Sequence, residues 1–177
     1  MSRIHTVTRD TATAEQNALF DAIQAQLGTV PNFLKIFANS PAALRAFLGF
    51  HGIAGEGSLD PKTRERIALA VAQQNTCEYC VSAHTAIGRK AGLDNDEMGI
   101  NRTGSSQDAK AAVAVKFARA VAEHTGDVTT AELQEMRAAG YSDAEIVEVI
   151  THVGLNYLTN LIGKASRVEI DFPKVAL

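Results

Sequence analysis

The chain predicts an all-α fold of about seven or eight helices. Three observations carry this: apolar residues recur at helical spacing almost throughout, capping signals open the segments, and strand-like alternation of useful length is missing. The first helix has Leu19, Phe20, Ile23 and Leu27 on one stripe, with Thr13 as its N-cap and Gly28 as its stop. A short helix follows Pro31 and carries Phe33, Leu34, Ile36 and Phe37. Ser40-Pro41 is an N-cap and first-turn proline pair that starts a third, through Leu44, Phe47, Leu48 and His51, which dissolves among Gly52, Gly55 and Gly57. Asp60-Pro61 repeats that start signal for a helix reaching about Gln74.

The segment from about Glu78 to Ala91 is helical and closed by Gly92. The small polar stretch from Asp94 to Ser106 reads as a connection. A long helix then begins near Gln107, presents Val113, Phe117, Ala120, Val121 and His124 on one face, and ends at Gly126. Thr130 opens a short helix that stops at Gly140. Ser142-Asp143-Ala144-Glu145 has the form of a capping box and starts the last helix, running to about Ser166. That helix is apolar on more than one side: Ile146, Ile150, Val153, Tyr157 and Leu161 form one stripe, with Val147, Leu155 and Leu158 outside it. A surface helix needs only one stripe, so this one is either central or pressed against another subunit. The tail from Val168 to Lys174 reads as extended, and one such segment makes no sheet.

The 177 residues suit one domain able to bury a sizeable core without a disulfide staple. A hydrophobic fraction of 46% and a charged fraction of 21% are ordinary for a soluble globular chain. The net charge of −3 argues against a nucleic-acid binder, which needs a concentrated basic face. No run reaches the ~18 apolar residues of a membrane span, and the N-terminal residues lack the apolar core of a secretory signal. The expectation is a cytoplasmic protein with neither nucleic acid nor membrane as partner. Glycines 52 to 57 lack the spacing of a phosphate-binding loop, so no nucleotide cofactor is expected.

Both cysteines of the chain fall in one motif, Cys77-Glu78-Tyr79-Cys80, with His84 four residues on. Offsets of three and four place them on one face of a helix. A free cysteine with a pKa near 8.5 is only about 3% thiolate at neutral pH. A helix N-terminus would favour the thiolate of Cys77, and an imidazole one turn away would take the proton of Cys80. Glu65 shares a helical face with Ala68, Leu69 and Ala72, an apolar stripe on which a carboxylate is out of place; its two readings are a functional group and a first-turns Glu that serves the helix dipole and water. The flanking Arg64 and Arg66 face elsewhere, solvated or ion-paired. The same side chains admit a metal reading: Cys77, Cys80 and His84 could supply three zinc ligands, with a carboxylate as the fourth. His5 belongs to the terminus, while His51, His124 and His152 lie on or beside apolar helical faces and are expected to be structural.

Glu65, eleven intervening residues, then Cys77-x-x-Cys80-x-x-x-His84 resembles the signature of the AhpD-like alkylhydroperoxidases within the carboxymuconolactone decarboxylase superfamily. The likeness covers roughly residues 40–125 as a core, and the ending from Asn156 to Pro173 is similar to the peroxidase-related branch of that family. The resemblance implies a single AhpD-like helical domain over residues 1–177, with a C-terminal helix and tail at 142–177. It implies a cofactor-free thiol peroxidase in which Cys80 is the peroxidatic cysteine, Cys77 the resolving one, His84 the base and Glu65 the end of the proton relay. A hydroperoxide would be the substrate, an outside thiol or dithiol the reductant, and a homo-trimer or homo-hexamer the assembly. The chain departs from the family pattern at Tyr79, where members can carry a second histidine. True carboxymuconolactone decarboxylases lack the cysteine pair, so lactone decarboxylation is not expected. Two alternatives share these residues: general thiol–disulfide exchange on other molecules, and a non-enzymatic zinc-holding structural or sensor module.

Overall fold

Side-chain caps start most of the helices, at the expected Thr13, Ser40, Asp60 and Ser142 and also at Asp94, Asp108 and Thr129. Each accepts a hydrogen bond from a backbone amide of the first turn that has no partner within its helix. In the computed structural model, which describes residues 2–177, the described residues form nine α-helices and no strand. These are α1 (Ala14–Leu27), α2 (Asn32–Phe37), α3 (Pro41–Ala54), α4 (Pro61–Gln74), α5 (Glu78–Lys90), α6 (Asn95–Arg102), α7 (Ala109–Glu123), α8 (Thr130–Ala138) and α9 (Asp143–Ser166).

The all-α class holds, and the one helix beyond those expected is α6. The polar stretch that reads as a connection is helical because its partners are buried polar groups rather than an apolar stripe. Glu97 accepts from Arg66 Nε at 2.7 Å, Asn101 Nδ2 at 2.9 Å and the Gln107 amide at 2.7 Å, and Ser106 bonds it as well. Arg66, expected to be solvated or ion-paired, is therefore one half of a buried ion pair that ties α6 to α4.

The centre of the molecule is α4. Ile67, Ala68, Leu69, Ala70, Val71 and Ala72 are consecutive and all buried, which a helix achieves only with neighbours on every side. It packs against α5, α6, α7 and α9. One core joins α4, α7, α8 and α9 through Ile67, Val71, Phe117, Met136, Val149 and Val153. A second joins α1, α2 and α3 through Phe20, Leu34, Phe37, Leu44 and Phe47, with Leu155 of α9 reaching into it. The stripe expected on α9 is split: Ile146 and Val153 enter the core, whereas Ile150 and Leu161 are exposed with Val147. After α9 the chain has no regular secondary structure, and Val168, Ile170, Phe172 and Val175 lie against a third cluster built around the cysteines.

Candidate active site

The turn from α4 into α5 creates the site. Thr76 adopts a left-handed backbone conformation (φ 51°), an uncommon one for a β-branched residue, and reverses the chain. The Cys77 amide then donates to the Ala72 carbonyl at 3.0 Å. From α9, Lys164 Nζ donates to the Asn75 carbonyl at 2.7 Å, and Asn160 Oδ1 accepts from Asn75 Nδ2 at 2.8 Å. Cys77 is consequently the N-cap of α5, its sulfur accepting from the Cys80 amide at 3.4 Å, and Cys80 lies in the first turn. The helical-face expectation holds for Cys80 and His84, while Cys77 reaches the same place from the cap position.

The two sulfurs are joined as a disulfide. Cys77 and Cys80 are only 1% and 3% exposed, among Ile36, Ala72, Val81, Ala83 and Val168. On the α9 side they are covered by Gly163. A Cβ at that position would lie 3.0 Å from Cys77 Sγ and 3.6 Å from Cys80 Sγ, so glycine is what lets the last helix pass over the pair.

One turn along α5, His84 Nδ1 is 2.8 Å from Glu65 Oε2 of α4. The carboxylate fixes the proton on Nδ1 and leaves Nε2 as the ring nitrogen free to accept. These side chains keep 20% and 16% of their surface exposed, so the His84–Glu65 edge of the site is wetter than the sulfurs. The sequence sets Cys77, Cys80, His84 and Glu65 apart, and all four lie where α4 faces α5.

His51 of α3 lies at the surface within electrostatic reach of His84 and Glu65; partial desolvation of its ring, and then His84, hold its imidazole below the usual histidine value. His152 of α9 is likewise lowered, by burial first and then by Arg64. His124 caps the C-terminus of α7, and His5 precedes α1. Their flanks, apolar like those of core histidines, give no signal separating His51 from the rest. Tyr79, at the position where family members can have a second histidine, turns its hydroxyl to Asp171 Oδ1 at 2.8 Å. Burial first, then Asp171, push that phenol well above its ordinary value, and its hydroxyl hydrogen is taken up by the bond to Asp171. Among the described residues no three His, Cys, Asp or Glu side chains converge as metal ligands, and no helix is long and apolar enough to cross a membrane.

Residues 41–124 match the model of the carboxymuconolactone decarboxylase family. An uncharacterized protein of Haemophilus influenzae is 53% identical over 45 residues, which are 25% of this chain and 40% of that relative. The chain therefore spans less than half the length of this curated relative. The crystal structure of an uncharacterized peroxidase-related protein from Silicibacter sp. TM1040 superposes with a TM-score of 0.83 at 26% identity, covering 94% of this chain and 89% of that one. A second, described as an alkylhydroperoxidase AhpD core and peroxidase-related protein from Ralstonia eutropha JMP134, also gives 0.83, at 24% identity over 96% of this chain and 92% of its own.

Proposed function

From a chain that belongs to the AhpD-like, carboxymuconolactone decarboxylase superfamily, we propose a thiol-dependent peroxidase. The observation that carries the proposal is the His84–Glu65 contact of 2.8 Å one helical turn beyond a paired Cys77 and Cys80. The reaction starts from the dithiol. His84 Nε2 takes the Cys80 proton, and the imidazolium is stabilised by the Glu65 carboxylate. The thiolate attacks one oxygen of the hydroperoxide, the O–O bond breaks, Cys80 becomes a sulfenic acid, and the alkoxide leaves as an alcohol after taking a proton. The Cys77 thiol then displaces hydroxide from that sulfur, giving the disulfide and water. The state with both sulfurs joined is the product of this half-reaction, and an outside dithiol returns two electrons and two protons.

Cys80 is chosen over Cys77 on magnitudes. A helix terminus is worth typically about 0.3–1 kcal/mol to a nearby charge, or one pKa unit or less. A positioned base supplies roughly 10²–10⁴-fold in general acid–base catalysis, and His84 is one turn from Cys80. The test is a panel of hydroperoxides mixed with pre-reduced protein, with free thiols counted before and after. One equivalent of peroxide consumed and two thiols lost per chain is the expected result; no consumption of any hydroperoxide rejects the proposal.

We also propose that the chain assembles as a homo-trimer or homo-hexamer. The support is an exposed apolar stripe on α9 of Val147, Ile150 and Leu161, with Phe50 and Ile53 exposed on the neighbouring α3. Obligate interfaces are more apolar than ordinary surface, and closed symmetry is the usual outcome for identical chains.

A further inference from the structure

Tyr79 stands between the two cysteines, yet its contacts lead away from the sulfurs and into the C-terminal tail. Its hydroxyl donates to Asp171 Oδ1 at 2.8 Å and accepts from the Phe33 amide at 3.3 Å. The other Asp171 oxygen accepts from the Asn32 amide at 2.7 Å, and Asn32 Nδ2 donates to the Glu169 carbonyl at 3.2 Å. Further on, the Val175 amide donates to the buried Ser82 hydroxyl at 3.0 Å. The Phe172 ring meets Tyr79 edge-on with centroids 5.7 Å apart. Residues 168–177 carry no regular secondary structure, so these bonds, the bond from Arg102 Nη2 to the Ala176 carbonyl at 2.6 Å, the exposed Lys174–Glu78 pair and the packing of Val168, Ile170, Phe172 and Val175 hold the tail. The cluster they pack on contains Cys77 and Cys80.

We propose that the C-terminal segment 168–177 is a gate over the Cys77–Cys80 disulfide, latched by Tyr79 and Asp171, and that an external dithiol reaches the sulfurs when this latch opens. The inference rests on reading the two cysteines as a redox pair. Thiol–disulfide exchange needs a thiolate to approach a sulfur, and access limits its rate. With the cysteines 1% and 3% exposed, the closed molecule offers no such approach. Around them the cluster is completed by α2, α9 and the tail, and α2 is itself packed on α3 and α9. Opening α9 would break a helix that packs on five others, namely α2, α3, α4, α5 and α7. A terminal segment without a backbone ladder opens at much lower free energy. Once it is open, a thiolate of the dithiol attacks one sulfur, the S–S bond breaks, and a mixed disulfide forms as the other cysteine leaves as thiolate. The second thiol of the reductant then attacks the mixed disulfide. The reductant departs as its own disulfide, having supplied two electrons, and the protein dithiol takes up the two protons.

The test uses full-length oxidised protein and dithiothreitol, with free-thiol release as the rate and hydrogen exchange of residues 168–177 and of α4 measured alongside. Asp171→Ala removes the bonds to Tyr79 and Asn32; Tyr79→Phe removes only the hydroxyl and keeps the ring packing. Reduction should be about five- to tenfold faster in Asp171→Ala and about threefold faster in Tyr79→Phe, the scale of one or two lost hydrogen bonds. Exchange in the tail should rise in both, with exchange in α4 unchanged. Lys174→Ala, which removes only an exposed pair with Glu78, should stay within about twofold of wild type. Faster tail exchange without faster reduction would overturn the gate and put the reductant's entry on the His84 side. Unchanged tail exchange would overturn the latch. If Asp171→Ala fails to fold, Tyr79→Phe decides alone. Because no peroxide enters the assay, the gate stands or falls here even for a protein inert to hydroperoxides.

Discussion

At the scale of single residues, the proposed peroxidase mechanism turns on what His84 and Glu65 do for a sulfur one turn away. Glu65→Gln keeps a hydrogen-bonding partner for Nδ1 but cannot stabilise an imidazolium, whereas His84→Ala removes the base. In a Cys77→Ser background, where only the first step remains, His84→Ala should slow the reaction with hydroperoxide by about 10²-fold or more. Glu65→Gln should slow it less, in the same direction, by stopped-flow measurement of peroxide loss. Gly163 gives a different kind of prediction. A methyl placed 3.0 Å from Cys77 Sγ and 3.6 Å from Cys80 Sγ must displace the helix or the sulfurs. Gly163→Ala should cost about 1–3 kcal/mol, as overpacking does in a filled core, read by urea denaturation of the oxidised protein. Helical offsets make Cys80 and His84 legible in the sequence, and an out-of-place carboxylate on an apolar stripe makes Glu65 legible. Gly163 and Asp171 are not legible there, because each acquires its role only from a segment distant in sequence once the chain has folded.

At the scale of elements, α6 shows where apolar periodicity stops being informative. Its buried face includes Glu97 and Asn101 as well as Met98, so its amphipathic pattern reads as a polar connection. The N-cap signal is present in Asp94, which accepts from the Glu97 amide at 2.8 Å. Burial alone would raise the Glu97 carboxyl, but Ser106, Asn101, the Gln107 amide and Arg66 together hold it down at about 2. Because the folded value lies below the unfolded one, this group contributes its full stability above the unfolded pKa of ~4.5, and the contribution is lost as pH falls from there towards 2. The contribution is on the order of 2–3 kcal/mol. Wild type should therefore lose unfolding free energy between about pH 5 and pH 2 more steeply than Glu97→Gln, which starts lower at neutral pH because Arg66 is left buried without its charge partner. Urea titrations at several pH values in that window decide it; parallel pH profiles for the two proteins would contradict it. The remaining helices are legible with bounds close to those observed, because side-chain caps and glycine stops act locally and need no tertiary partner.

At the scale of the whole molecule, the fold brings α4 and α5 together under α9, closes the sulfurs from one side with the tail, and leaves an apolar stripe outside. Neither Val147, 61% exposed, nor Ile53, 71% exposed, fills any core of the single chain. Light scattering at micromolar concentration should give a mass of three or six chains. Val147→Asp with Ile150→Asp, both on the exposed stripe, should shift it towards one chain without altering helix content by circular dichroism. The fold class is legible in the sequence because helical periodicity runs along nearly the whole chain. The number of subunits rests on family resemblance, since a surplus of apolar surface says that something covers it and not how many copies do so. The central claim is that Cys80 is the sulfur that meets the peroxide, and it is tested most directly with two single variants, one equivalent of hydroperoxide and a dimedone-type probe read by mass spectrometry. Cys77→Ser should react once per chain and carry the probe on Cys80, while Cys80→Ser should show no fast reaction; sulfenic acid trapped on Cys77 in the Cys80→Ser protein would contradict the claim.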